Sequence, residues 1–215
     1  MDRIQIKSFA KQQLGSGIFT GQWMTALLFV LLSGALISAG SVIPVVGSLL
    51  LFGPVYYGQS KAFLKRARDE HESFDLADIV CGFKDDFSET FLLGLMMEIF
   101  IGLWSLLFIV PGIVKSYAYS MAFYVKVDHP EYGWKQCLDE SKRLTNGHKG
   151  ELFVLDLSFI GWILVSCLLC GLGMFWVDPY MTAAKTNAYL WLLSIDAQAP
   201  EYVQNGYDSG APSAY

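Results

Sequence analysis

Formal charge is scarce in this sequence. Only 16% of the 215 residues are Asp, Glu, Lys or Arg, whereas 53% are hydrophobic. A disordered chain carries more charge and fewer apolar residues, so this class is excluded for the chain as a whole. The balance of 15 basic against 20 acidic residues argues against a nucleic-acid partner, since such proteins present a basic face.

Recognisable enzyme motifs are also lacking. The sequence contains no nucleophile elbow, phosphate-binding loop, dinucleotide fingerprint or zinc-protease motif. Its 4 cysteines show no metal-ligand spacing. Cys167 and Cys170 lie in an apolar run, where cysteine behaves as a small hydrophobic residue. The sequence therefore predicts no catalytic residue, no metal and no cofactor.

A long charge-free stretch indicates membrane spans. No Asp, Glu, Lys or Arg occurs between Lys11 and Lys61. A helix needs about 20 apolar residues to cross the ~30 Å hydrocarbon core of a bilayer. Pro44 divides this stretch, which predicts one span at 23–43 and a second at 45–64.

Similar apolar runs recur along the chain, with Pro111 and Pro179 near the turns. They predict further spans at 91–110, 112–127, 152–177 and 180–195. The runs are continuous rather than alternating, which favours helices over β-strands. The predicted fold class is all-α, a polytopic transmembrane bundle of six spans arranged as three helical hairpins in a single domain, 1–195. Shared small and aromatic residues suggest that the hairpins are repeats, but such residues are also common in unrelated membrane helices.

The distribution of Lys and Arg predicts the orientation. Basic residues precede the first span and follow the second and fourth, whereas the turns at Pro44, Pro111 and Pro179 contain none. By the positive-inside rule, both termini lie in the cytoplasm. Ser38–Gly40 resembles a signal-peptide cleavage site, but a second apolar run follows at once, which favours an uncleaved chain.

Three amphipathic segments are predicted on the cytoplasmic side. Met1–Gln22, Asp69–Glu89 and Trp134–Leu144 repeat apolar residues at helical spacing. The third ends at Asn146-Gly147, which is a typical helix C-terminal signal. Residues 196–215 have no periodicity and are predicted to form a disordered cytoplasmic tail.

Four charged residues inside the predicted spans are the candidate functional residues: Lys115, Lys185, Asp156 and Glu98. Charges are costly in a bilayer and therefore mark functional positions by default. The two lysines lie near the outer turns, where they either snorkel to the surface or attract an anionic headgroup or solute. Asp156 either pairs with a neighbouring helix or binds at headgroup level, and Glu98, the deepest, must be protonated, paired or hydrated.

Several blocks of sequence together resemble a known family. The blocks are A-K-Q-Q-L at 10–14, F-G-P-V-Y-Y-G at 52–58, L-W-S-L-L-F-I-V-P-G-I-V-K-S-Y-A-Y-S-M at 103–121, S-K-R-L-T-N-G-H-K-G-E-L-F at 141–153, L-D-L-S-F-I-G-W at 155–162 and W-V-D-P-Y at 176–180. In this order they resemble the domain-of-unknown-function 975 (DUF975) family of bacterial integral membrane proteins. That family is distantly similar to the membrane domain of some glycerophosphodiester phosphodiesterases.

The resemblance implies a multi-pass protein of the bacterial cell (plasma) membrane and implies no known activity. Lys115 and Asp156 lie in matching blocks, whereas Glu98 does not. A candidate cytoplasmic motif also lies in a matching block and consists of Ser141, Gly147, His148 and Lys149.

Three functions are compatible with these patterns. The first is a non-catalytic scaffold, assembly or regulatory component, whose partners are the lipid bilayer and either another membrane protein or a second copy of the chain. The second is a small transporter or permeability protein whose intramembrane charges line a path. The third, an intramembrane lipid-modifying enzyme, has the least support. A water-filled cavity reaching the four charges would favour transport, and a dry core with paired charges would favour the scaffold.

Overall fold

The computed structural model describes residues 3–14, 21–40, 46–69, 74–84, 87–168 and 173–198. Every regular element in these ranges is helical, which confirms the predicted all-α class. The elements are α1 (Arg3–Leu14), α2 (Gly21–Gly40), α3 (Val46–Arg68), a 3₁₀ helix (Leu76–Val80), α4 (Cys81–Lys84), α5 (Phe87–Leu107), α6 (Ile109–Tyr119), α7 (Ala122–Asp128), α8 (Trp134–Leu144), α9 (Lys149–Leu157), α10 (Ile160–Leu168) and α11 (Met174–Gln198). Pro44, Cys170 and residues 199–215 lie outside the described residues.

Helix α3 is central to the bundle and contacts α2, α5, α7, α11 and the 3₁₀ helix. Its contact with α5 depends on two glycines. A Cβ atom added at Gly94 would lie 2.7 Å from the Cα of Gly53, and one added at Gly53 would collide with the carbonyl oxygen of Thr90. Small residues that let helix backbones approach closely are typical of helix contacts in membranes.

Helices α5 and α6 form a hairpin whose tip is apolar. A Cβ atom at Gly112 of α6 would lie 2.8 Å from the Cα of Ser105 in α5, so the two helices touch near the tip. The same spacing recurs between α10 and the residue before α11, where a Cβ atom at Gly173 would lie 2.9 Å from the Cα of Ser166. This recurrence is a specific structural likeness between two of the three predicted hairpins.

Three of the predicted spans contain a break within the described residues. The third, 91–110, crosses the break at Phe108 between α5 and α6, so Pro111 lies inside α6 rather than at the turn. The fourth, 112–127, consists of α6 and α7, which are separated at Ser120–Met121. The fifth, 152–177, is broken between α9 and α10 and then leaves the described residues at 169–172. Helix α11 contains the whole of the sixth predicted span.

Pro179 does not mark a turn, contrary to the sequence-based prediction, because α11 begins at Met174 and includes this proline. Proline has no backbone N–H group. Near the start of a helix, this leaves only one carbonyl oxygen, in the first turn, without its usual hydrogen-bond donor. The predicted tail boundary is also wrong. Asp196 lies inside α11, where it is held by an ion pair with Arg143.

The predicted amphipathic segments have different outcomes. Helix α8 is confirmed, with Cys137, Leu138, Ser141 and Leu144 all buried. The segment Asp69–Glu89 contains the 3₁₀ helix and α4 rather than one continuous helix. In the N-terminal segment, α1 packs along α11.

One end of the bundle is rich in ion pairs. Arg68, at the end of α3, donates two hydrogen bonds of 2.7 Å to Asp128 at the end of α7. Arg143 of α8 donates bonds of 2.6 and 2.8 Å to Asp196 near the end of α11. The C-terminal ends of α3, α7 and α11 therefore lie together, and we call this region the ion-paired end.

Many large hydrophobic side chains are exposed on the bundle. A few large hydrophobic residues are exposed on α1 (Ile4, Phe9), on α3 (Tyr56), on the 3₁₀ helix (Leu76, Val80) and at the start of α5 (Phe87). Most lie on three other parts of the bundle: on α2 at Met24, Leu28, Leu31 and Leu32, on the α5–α6 hairpin at Ile99, Leu103, Trp104, Leu106, Leu107, Phe108, Ile109, Val110, Ile113 and Val114, and on α9–α10 at Phe153, Leu157, Ile160, Trp162, Leu164 and Val165. Leu106 is 87% exposed. We call the residues on these three parts the apolar surface.

Helix α5 is long and apolar enough to cross a membrane. Its mean hydropathy is 1.9, and only 17% of the apolar window is buried. The core helix of a soluble protein meets the same criterion of length and composition but is mostly buried. Among the described residues α5 is the one helix that meets the criterion, and Trp23–Ala35 is a shorter apolar segment. The arrangement with six spans therefore stays a prediction.

Candidate functional site

The structure brings two of the four candidate residues together. The ammonium group of Lys185, on α11, lies 3.7 Å from Oδ2 of Asp156, on α9. The hydroxyl group of Tyr117, on α6, donates a hydrogen bond of 2.9 Å to the same carboxylate oxygen. We call these three residues the Asp156 cluster.

The Asp156 cluster borders a cavity of about 190 Å³ between α6, α9 and α11. Ser116 and Ser120 add hydroxyl groups to its lining. The remaining walls are apolar and consist of Met121, Leu152 and Leu155. A few polar groups therefore converge on an otherwise apolar hollow, which is smaller than the roughly 300–1,000 Å³ of pockets for drug-sized ligands.

The local sequence explains how Asp156 is held. Helix α9 ends one residue after it, at Leu157, and the chain turns through Ser158–Phe159 before α10 begins. The ammonium group of Lys7 donates to the carbonyl oxygen of Ser158 at 3.2 Å and lies 4.2 Å from the centroid of the Phe159 ring. A cation at a helix C-terminus stabilises the partial negative charge there. Helix α1 thus contributes to positioning the last turn of α9.

Lys115 and Glu98 lie apart from this cluster. The ammonium group of Lys115 lies 5.1 Å from the ring centroid of Trp104 and 6.0 Å from that of Tyr119. Cation–π contacts of this kind stabilise a cation on an aromatic face. Glu98 is exposed on α5 and does not line the cavity.

Ser141, the first residue of the candidate cytoplasmic motif, has a structural role. It is fully buried. Its Oγ donates to the carbonyl oxygen of Ala118 at 2.8 Å and accepts from the backbone N–H of Met121 at 3.1 Å. These two groups flank the break between α6 and α7, so Ser141 supplies hydrogen bonds that the interrupted helix lacks.

The other motif residues form the turn from α8 to α9. Gly147 has a φ angle of +80°, a left-handed conformation that favours glycine. The His148 ring packs edge-on against Trp191, with centroids 5.2 Å apart, and its Nδ1 lies 3.7 Å from Glu151 Oε1. Lys149 begins α9 and is half-buried. The motif is therefore a packed connection rather than an open cluster of reactive groups.

Ion pairing changes the acid–base properties of the ion-paired end. The hydrogen bonds from Arg143 to Glu140 and then to Asp196 raise the pKa of its guanidinium group. The hydrogen bond to Asp128 raises the pKa of Arg68 in the same way. Both arginines therefore stay charged and hold the ends of α3, α7 and α11 to their neighbours.

Sequence reasoning missed the tyrosines. Tyr117 completes the Asp156 cluster, and two further tyrosines, Tyr124 and Tyr189, stack at 5.3 Å inside the bundle. Tyr189 donates to Asp128 at 2.9 Å, and Thr186 donates to Tyr124 at 3.3 Å. Charged residues are conspicuous inside the apolar runs, whereas tyrosine counts as apolar in composition. Its hydroxyl group nevertheless needs a partner when buried, and that requirement was the available signal.

Comparison with known proteins finds one family match, over part of the chain. No curated protein and no solved structure matches the chain. Residues 109–196 match the model of a family described as a protein of unknown function, DUF975. The matched segment contains Lys115, Asp156, Lys185 and the candidate cytoplasmic motif, whereas Glu98 lies before it. From the start of α6 almost to the end of α11, the chain is therefore similar to the DUF975 family, whose function is unknown.

Proposed function

We propose that this chain is a multi-pass protein of the bacterial cell membrane that serves as a non-catalytic scaffold, assembly or regulatory component. The observation that carries the proposal is the apolar surface. Soluble monomers rarely expose large contiguous apolar patches. The exposed side chains of the α5–α6 tip alone include Leu106, Leu107, Phe108, Ile109 and Val110, each at least 65% exposed.

The separation between polar and apolar regions supports embedding in a bilayer. Glu89, in the first turn of α5, accepts a hydrogen bond of 2.9 Å from the backbone N–H of Trp134. From there to Leu107, α5 extends for about 27 Å at ~1.5 Å per residue. That length is close to the ~30 Å of a hydrocarbon core. The ion-paired end would then lie at the cytoplasmic surface, with both termini on that side.

Polar side chains that have partners within the protein favour the scaffold role. Ser141, Lys126 and Arg143 each have partners within the protein, and Lys126 donates to the carbonyl oxygens of Pro130 and Tyr132 at 2.8 and 2.9 Å. The cavity at the Asp156 cluster does not include Lys115 or Glu98 in its lining. The four intramembrane charges therefore do not line one common path in the described residues.

The experiment for the proposed function combines topology with permeability. Reporter fusions at the C-terminus should be active only when the reporter functions in the cytoplasm. Purified protein in sealed liposomes should leave the leakage of small ions and solutes unchanged relative to empty liposomes. A C-terminal reporter active only outside the cytoplasm would contradict the topology, and solute flux that requires the protein would contradict the scaffold role.

A second candidate function, transport, is favoured by one observation. Asp156 and Lys185 are opposite charges inside predicted spans, and both face the same cavity. Charged residues at membrane depth often mark substrate or ion pathways. If flux is found, Asp156→Asn should abolish it, whereas Glu98→Gln, which changes a carboxylate outside the cavity, should preserve it.

A further inference from the structure

The Asp156 carboxylate retains unused hydrogen-bonding capacity. Its Oδ2 atom accepts from Tyr117 and faces Lys185, but its Oδ1 atom accepts no hydrogen bond from any described residue. An ionised carboxylate has about four acceptor positions. The side chain is only 25% exposed, so a partner for the remaining positions would have to enter the cavity.

The Lys185 ammonium group is in a similar state. Its distance of 3.7 Å from Asp156 permits electrostatic attraction but exceeds the usual N–H···O range of about 2.7–3.2 Å. Within the described ranges it donates no hydrogen bond, although an ammonium group has three donors. The side chain is 44% exposed, so the charge is accessible from the cavity.

The cavity therefore presents one cation and one anion to whatever enters it. A simple anion would be attracted by Lys185 but repelled by Asp156, and a simple cation would experience the reverse. A ligand that carries both charges satisfies both residues and leaves neither desolvated charge unpaired. The volume of about 190 Å³ corresponds to roughly six water molecules at ~30 Å³ each.

We propose that the cavity between α6, α9 and α11 binds a small zwitterionic group, with its anionic end at Lys185 and its ammonium end at Asp156. The apolar walls at Met121, Leu152 and Leu155 contact the carbon atoms between the two charges. This chemistry belongs to the phosphoethanolamine headgroup of a lipid and also to a free amino acid. The lipid source rests on the proposed membrane embedding, whereas binding in the cavity does not.

The test measures binding to the purified full-length chain in detergent. The probes are short-chain phosphatidylethanolamine, phosphatidylglycerol with the same acyl chains, and glycine, each titrated by calorimetry. We expect phosphatidylethanolamine or glycine to bind, and phosphatidylglycerol, which lacks the ammonium group, to bind at least about tenfold more weakly. Binding of the lipid alone assigns a headgroup site, and binding of glycine with the same residue dependence assigns a solute site.

Variants locate the binding. Asp156→Asn and Lys185→Gln should each weaken it by about tenfold or more. Lys115→Gln is the matched control, because that lysine lies on the rings of Trp104 and Tyr119 outside the cavity lining. Equal affinity for the two lipids, failure of both zwitterions to bind, or full binding by Lys185→Gln would overturn the proposal. If a variant fails to fold, the affinities of the three probes for the unaltered protein still test the proposal.

Failure of this test leaves the embedding proposal standing, because embedding is measured separately in vesicles. Conversely, if the chain proves not to span a membrane, the cavity proposal depends on glycine, the solute source, and is tested by its titration. The two proposals therefore have distinguishable outcomes.

Discussion

Replacing Ser141 by alanine tests the structural role assigned to the cytoplasmic motif. The hydroxyl group is fully buried and serves two backbone groups at the break between α6 and α7. In Ser141→Ala the N–H of Met121, which is 2% exposed, loses its acceptor. The carbonyl oxygen of Ala118 keeps a longer hydrogen bond, of 3.4 Å, from Thr145. The cost is therefore dominated by one unsatisfied buried donor, about 1–3 kcal/mol of unfolding free energy.

The assay is reversible unfolding in mixed micelles by titration with a denaturing detergent. Ser194→Ala is the matched control, since Ser194 is exposed and its hydroxyl group bonds only the carbonyl oxygen of Trp191 in its own helix. We expect that control to change the unfolding free energy by less than about 0.5 kcal/mol. Amide hydrogen exchange should also accelerate at Met121 in Ser141→Ala alone. Equal stability of the two variants, with unchanged exchange at Met121, would refute the reasoning.

Three further predictions concern other parts of the fold. Gly94→Ala should destabilise the chain by about 1–3 kcal/mol in the same unfolding assay, because its Cβ would collide with Gly53. In the control Gly102→Ala, on the same helix, the new Cβ meets open space, and the substitution should be neutral or stabilising by up to about 1 kcal/mol. Equal effects of the two substitutions would contradict the close contact. Burial raises the pKa of the Cys137 thiol to about 11, so alkylation at pH 8 should be about 100-fold slower in the folded than in the unfolded chain. The contribution of the buried neutral thiol to the unfolding free energy should decline as pH rises from 9 towards 11. Fast labelling of the folded chain would disprove this environment. Gly147→Ala should cost about 1–2 kcal/mol in unfolding free energy because of its φ of +80°, and a neutral result would exclude a left-handed turn there.

The all-α class was predictable because the relevant signals are local. Apolar runs of about 20 residues are too long for single strands and favour helices, and the stripe of apolar residues in α8 follows directly from its helical period. The C-terminal signal at Asn146-Gly147 is likewise confirmed, since a left-handed glycine is a property of the turn itself.

The breaks in the helices were not predictable, because their cause is tertiary. The interruption at Ser120–Met121 is stabilised by Ser141, twenty residues further along the chain. The break at Ser158–Phe159 is capped by Lys7 from the N-terminal helix. Composition shows neither partner, so each of these regions was predicted as a single span.

The sequence predicted only part of the candidate site, because the rest depends on tertiary contacts. The sequence identified Asp156 and Lys185 because isolated charges in apolar runs are conspicuous. It could not show that these two meet while Lys115 and Glu98 do not, because that depends on which faces of α6, α9 and α11 adjoin. It also passed over Tyr117, whose hydroxyl group became informative only beside a carboxylate.

Chemical labelling in sealed vesicles tests the central claim, membrane embedding, most directly. In a chain whose four native cysteines are replaced by alanine, single cysteines are introduced as Ile99→Cys and Ser194→Cys. Ile99 is 48% exposed on the surface of α5, about 15 Å along the helix from Glu89 at ~1.5 Å per residue, and Ser194 is exposed near the ion-paired end. A membrane-impermeant maleimide should label Ser194→Cys in inside-out vesicles only, and should label Ile99→Cys in neither orientation until detergent is added. Rapid labelling of Ile99→Cys in intact vesicles would contradict the account, because this residue would then be exposed to water rather than to lipid.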